Sequence, residues 1–118
     1  MYTTLCSQVV YVGSSTYLDP ALIVRLEADG NYTRIYLANG KELLIARTLK
    51  VVLLRLEPHS AFVRISRHEA VNPRYIRVFR ENGALILHDE TRLVPSRRRL
   101  KTVRESLSAP KYPWLLGK

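Results

Sequence analysis

The chain has 118 residues, with 19 Lys and Arg against 10 Asp and Glu, a formal net charge of +9 and an isoelectric point near 10.1. That length fits one domain of ordinary size, and an apolar content of 47% excludes an intrinsically disordered chain. The apolar runs, at 21–24, 51–54 and 84–87, fall far short of the roughly 20 residues that a membrane-spanning helix needs.

The N-terminus lacks the basic start and long apolar stretch of a signal peptide. Cys6 is the only cysteine and has no partner for an internal disulfide, so the expected compartment is the reducing cytoplasm. Residues 8–12 read as an edge strand. Residues 22–27 alternate apolar side chains with Arg and Glu, and Asp29-Gly30-Asn31 follows as a turn. Residues 33–37 form the next β-rich run. Asn39-Gly40 is a strong hairpin signal, because a type I′ turn needs positive φ at both central residues, and 41–46 would return. Residues 48–56 place Leu49, Val52, Leu53 and Leu56 on one helical stripe, with Thr48 as N-cap and Pro58 as a stop. Asn72-Pro73 starts a turn, with the Asn side chain expected to bond local backbone. Strands at 76–81, 84–88 and 91–94 are separated by Asn82-Gly83 and Asp89-Glu90. A second helix is predicted over 96–107, with Ser96 as N-cap and Leu100, Val103 and Leu107 on its apolar stripe. The sum is an all-β domain with two short helices.

The charge is uneven. Residues 1–60 carry six Lys/Arg and five Asp/Glu, whereas residues 61–118 carry thirteen and five. Fourteen of the nineteen basic residues are Arg, the side chain suited to bidentate contact with phosphate and with guanine edges. Arg97, Arg98 and Arg99 fall in the first turn of the predicted second helix, where the macrodipole disfavours cations by about 0.3–1 kcal/mol each. A bound anion would reverse that penalty.

Three stretches, in order and spacing, resemble the LytTR family of bacterial DNA-binding domains. The first is Leu26-Glu27-Ala28-Asp29-Gly30-Asn31-Tyr32-Thr33-Arg34-Ile35-Tyr36-Leu37, followed by Asn39-Gly40 and Arg47-Thr48-Leu49. The second is Phe62-Val63-Arg64-Ile65-Ser66-Arg67-His68-Glu69-Ala70-Val71-Asn72, with Ile76 beyond it. The third is Leu93-Val94-Pro95-Ser96-Arg97-Arg98. The family's usual His-Arg-Ser reads Ser66-Arg67-His68 here.

The resemblance implies a mainly β fold of short antiparallel sheets with two short helices. It divides the chain into an N-terminal strand and lead-in (1–19), the DNA-binding domain (20–107) and a C-terminal tail (108–118). It also implies a transcription regulator that reads successive major grooves of promoter DNA with loop side chains. Pairs of subunits on direct repeats, forming a homodimer on DNA, are the expected arrangement. Many family members are output halves of response regulators. The length leaves no room for a receiver domain, so a stand-alone regulator answering to its own abundance or to a membrane or signalling partner is expected. Base-reading positions carry over to Asn31, Tyr32 and Thr33, to Arg67, and to Arg98. Arg97, Arg99 and Lys101 suit phosphates, and His68 lies on the DNA side. Thr33 and Tyr32 serve equally well as structural residues, and Arg64 can serve the fold, pair with Glu69 or meet a phosphate.

No Walker loop, dinucleotide fingerprint or Ser/His/acid set is present, so no enzymatic activity is expected. The three His and one Cys lack zinc-ligand spacing, so neither metal nor cofactor is expected. Two other readings share the charge: an RNA-binding β-domain, which would want more surface aromatics, and a basic protein-docking module anchored by the apolar tail at Trp114-Leu115-Leu116.

Overall fold

The computed structural model describes residues 9–108 and 112. Cys6 and Trp114-Leu115-Leu116 lie outside them. In chain order the described elements are β1 (Val10–Gly13), β2 (Thr16–Leu18), β3 (Ile23–Asp29), β4 (Tyr32–Leu37), β5 (Glu42–Ile45) and α1 (Leu49–Leu56). There follow β6 (Val63–Arg64), β7 (Glu69–Val71), β8 (Ile76–Phe79), β9 (Leu85–Leu87), β10 (Arg92–Leu93) and α2 (Leu100–Leu107). All pairings are antiparallel. They make a β1-β2 ribbon, a central sheet in the order β5-β4-β3-β7-β6, and a small sheet in the order β10-β9-β8. The mainly β, two-helix architecture read from the sequence is the architecture observed.

Period-2 alternation divides the central sheet. Leu26, Ile35, Ile45 and Ala70 point to one side, where Val12 of the ribbon and Leu49, Val52 and Leu56 of α1 close a first core. Each such Val, Leu or Ile side chain removed from water contributes about 1.5–3 kcal/mol. The opposite face is polar: the Arg25 guanidinium sits 3.7 Å over the Tyr36 ring, and the Tyr36 hydroxyl donates to Glu27 Oε1 at 2.8 Å. A second core gathers Ile65, Val71 and Ile76 with Leu85 and Leu87 of the small sheet and Val103 and Leu107 of α2. Tyr112 packs on its edge.

Two matched turns join the sheets. Asp19 and Asn72 each accept a backbone N–H with the side chain, from Ala21 (3.0 Å) and Arg74 (3.1 Å), and each is followed by a proline that starts a 3₁₀ turn. Asn72 is buried, and its amide also donates to Ile23 O at 2.9 Å. The Tyr75 hydroxyl donates to Ala21 O. Asn72 is thus the backbone-bonding turn residue that its sequence suggests.

Three local readings change. The first strand pairs with Thr16–Leu18, a strand without a sequence signal. Thr48 precedes α1 but its side chain makes no capping bond. The second helix begins at Leu100, four residues later than predicted. The Ser96 N–H is committed to Ile65 O at 2.8 Å, and Arg99 N–H closes a turn on Ser96 O at 3.1 Å. The first α-helical bond therefore runs from Val103 N to Arg99 O, at 2.8 Å. Gly83 makes room for α2: a Cβ there would lie 2.7 Å from Leu100 Cδ1, and its φ of +96° suits glycine.

Candidate nucleic-acid interface

Strand register collects the 29–32 hairpin tip, the 66–68 turn and Arg47 at one end of the central sheet. Glu27 pairs with Glu69, and Ala28 N–H donates to His68 O at 2.7 Å. The 66–68 turn therefore lies beside the hairpin tip that carries Asn31 and Tyr32. On the other side of that tip, Thr33 pairs with Ile45, and its hydroxyl donates to Arg47 O at 2.8 Å. Arg47 thus stands at the same end. The bond from Ser96 N–H to Ile65 O brings 96–99 in beyond β6. Strands lie about 4.8 Å apart, so β5 to β6 spans roughly 19 Å, with the lead-in to α2 extending the row.

Asn31, Tyr32, Arg67, His68, Arg97, Arg98 and Lys101 are exposed, and Arg99 is half-buried. Arg67, Arg98 and Arg99 line one cleft of about 400 Å³ together with Ser96 and Thr102. Arg97 and Lys101 are outside its lining. Three strand arginines have carboxylate partners: Arg25 with Glu69 (3.9 Å), Arg34 with Asp29 (2.9 Å) and Glu42 (3.4 Å), and Arg77 with Glu90 (2.9 Å). Among the described residues, Arg67, Arg97, Arg98, Arg99 and Lys101 have none. Like charges gathered without counter-charge repel one another and favour an incoming anion.

The turn that carries Arg67 is satisfied from within. Ser66 Oγ accepts from His68 N–H at 3.1 Å, and Glu69 O accepts from Ile65 N–H (3.0 Å) and Ser66 N–H (3.3 Å). Ser66 therefore closes the turn, in the place where the family's motif has a His. Arg64 does not pair with Glu69; it donates to the Ser66 and Arg67 carbonyls. Its pKa is lowered by burial first, and then by the nearby Arg99 charge.

Two expectations for the site are corrected. Thr33 is fully buried. Alternation turns its side chain under the sheet, so its hydroxyl holds Arg47 in place and does not face outward. Arg97, Arg98 and Arg99 stand in a turn just before α2, not in its first turn. The anion-binding argument then rests on their convergence with Arg67 and no longer on the macrodipole. Arg47 belongs to the first motif stretch, but the sequence assigns it no contact role. It is one Arg between Ala46 and Thr48, and only the β4-β5 register sets it near Tyr32. Among the described residues no group of His, Cys, Asp and Glu could hold a metal ion, and no helix is long and apolar enough to cross a membrane.

Comparison with known proteins gives the same picture at the level of fold and family. A solved structure, the LytTr DNA-binding domain of a protein described as a methyl-accepting/DNA response regulator from Bacillus cereus, superposes with a TM-score of 0.69 at 17% identity. The match covers 86% of this chain and 96% of that one. No curated protein matches the sequence. The family model for the LytTr DNA-binding domain matches residues 13–108, from the first hairpin to the end of α2, and the chain belongs to the LytTR family of DNA-binding domains.

Proposed function

We propose that this chain is a transcription regulator that recognises duplex promoter DNA by sequence, presenting loop side chains to the major groove. The observation that carries this reading is the cleft in which Arg67, Arg98 and Arg99 converge with no carboxylate partner. Arg67 and Arg98 are assigned to bases, since a guanidinium can donate two hydrogen bonds to guanine O6 and N7. Arg97, Arg99 and Lys101 are assigned to phosphates, which set position and register without reading sequence. Asn31, Tyr32 and His68 complete the contact row. Pairing of subunits on direct repeats, with a signalling or membrane partner as the input, is part of the same proposal. The molecule measures 40 × 40 × 24 Å, so one domain covers about one helical repeat of duplex, roughly 34 Å, from one side.

Titrations on a preferred duplex and on single-base variants test the division of roles. Arg98→Ala is expected to lose about ten- to a hundredfold of discrimination at one base pair. Lys101→Ala is expected to weaken every duplex alike and to reduce the slope of log K against log salt by about 1. Indistinguishable effects of the two variants on all duplexes would refute the assignment.

A further inference from the structure

Among the described residues, Arg64 is the one side chain that braces the 66–68 turn from outside it. It follows Val63 in β6 and is half-buried. Its Nε donates to Ser66 O at 3.2 Å, and its Nη2 donates to Arg67 O at 2.8 Å. Nε and one Nη form a rigid, flat fork, and here the fork is closed on two successive carbonyls. With the His68–Ser66, Ile65–Glu69 and Ser66–Glu69 bonds, this ties down the backbone of the turn and leaves the exposed Arg67 side chain to meet a ligand. Recognition of a base edge needs the reading group held within about 0.5 Å of its productive position. A turn that rocks would lose that precision while keeping its charge.

We infer that Arg64 is a positioning residue for sequence reading: its guanidinium clamps the Ser66 and Arg67 carbonyls and thereby fixes the direction in which Arg67 meets a base pair. This rests on the base-reading role proposed above for Arg67. The competing role for a cation at this place is direct phosphate contact, and lysine separates the two. A lysine ammonium keeps the charge but is a point donor on a flexible stem, so it cannot occupy both carbonyls in one plane.

The test has two arms, applied to the full chain and to its Arg64→Lys and Arg64→Gln variants, with thermal melts to establish that each folds. The first arm needs no DNA: amide hydrogen exchange is followed by NMR. Both variants are expected to speed exchange at His68 and Ser66 by about tenfold or more, as local opening becomes easier. The Leu26 and Ile35 amides in the middle of the sheet should be unaffected. Unchanged exchange at His68 overturns the clamp.

The second arm measures discrimination on a preferred duplex. Arg64→Lys should lose about as much as Arg67→Ala, at the same base pair, with the salt slope unchanged. The Arg64→Lys/Arg67→Ala double variant should lose no more than Arg67→Ala alone. Wild-type discrimination in Arg64→Lys, or additive losses in the double variant, would contradict the positioning role. A wild-type chain without discrimination would instead refute base reading by Arg67, and the exchange arm would still decide the clamp.

Discussion

Thr33 is one residue from the half-exposed Tyr32 and is itself completely buried. The sequence holds the signal for this. Thr33 shares parity with Ile35 and Leu37 along β4, so the alternation that buries Ile35 buries Thr33 as well. The family motif draws attention to the loop and hides that parity. Thr33→Val should leave the Arg47 carbonyl without its partner and lower stability by about 1–2 kcal/mol, read as a reduced midpoint in a thermal melt. Glu69 shows what the sequence conceals. It sits directly across from Glu27, a juxtaposition that only the β3-β7 register creates. Burial raises its pKa, Arg25 opposes that, and Glu27 adds to it. A raised folded-state pKa means that this group's contribution to stability is full below the ordinary Glu range and is lost as pH rises through the raised value. Glu69→Gln should remove that component and flatten the dependence of Tm on pH across the carboxylate range. An identical slope in the variant would show that Glu69 does not titrate as described.

Elements with strong local signals were legible, and those set by tertiary bonds were not. Asn39-Gly40 and Asn82-Gly83 announce their hairpins, although only the glycines take positive φ and the Asn side chains instead accept from Lys41 and Ala84 N–H, so neither turn has the expected type I′ form; the Leu49/Val52/Leu56 stripe announces α1. The β1-β2 ribbon went unread because its turn is made by Ser14 (φ 52°) and Ser15 (φ 57°), residues that rarely occupy the left-handed region. Ser14 has a reason to be there: its Oγ accepts from Ala46 N–H at 2.9 Å, tying the ribbon to the segment that leads into α1. Ser15 has no such bond, so Ser15→Gly should stabilise the fold by about 0.5–1 kcal/mol by relieving the left-handed strain. A lower melting temperature in that variant would count against this account of the turn. The late start of α2 belongs to the same class. Pro95-Ser96 has the form of a helix start, but Arg99 N–H closes a tight turn on Ser96 O and the first α-helical bond comes only at Val103, while Ser96 N–H meets Ile65 O, a partner distant in sequence. That bond is also what sets Arg98 beside Arg67.

At the scale of the molecule, the net charge of +9 is arranged and not merely large. Arg25, Arg34 and Arg77 are balanced by Asp29, Glu42, Glu69 and Glu90, while Arg67, Arg97, Arg98, Arg99 and Lys101, gathered around the 66–68 turn and the lead-in to α2, are among the cations of the second half without carboxylate partners among the described residues. The basic second half, the Arg-rich composition and the three-part motif made the candidate interface legible in outline. Its actual lining was not, because Arg67 and Arg98 are 31 positions apart and meet through the β6 edge. The most direct test of sequence reading is selection of bound duplexes from a random library at physiological salt, with the wild-type chain and Arg98→Ala side by side. The account predicts an enriched sequence, consistent with a repeated element, in which Arg98→Ala blurs one base position. A wild-type pool with no enrichment, despite tight and salt-sensitive binding, would contradict it and leave only electrostatic attraction to the phosphate backbone.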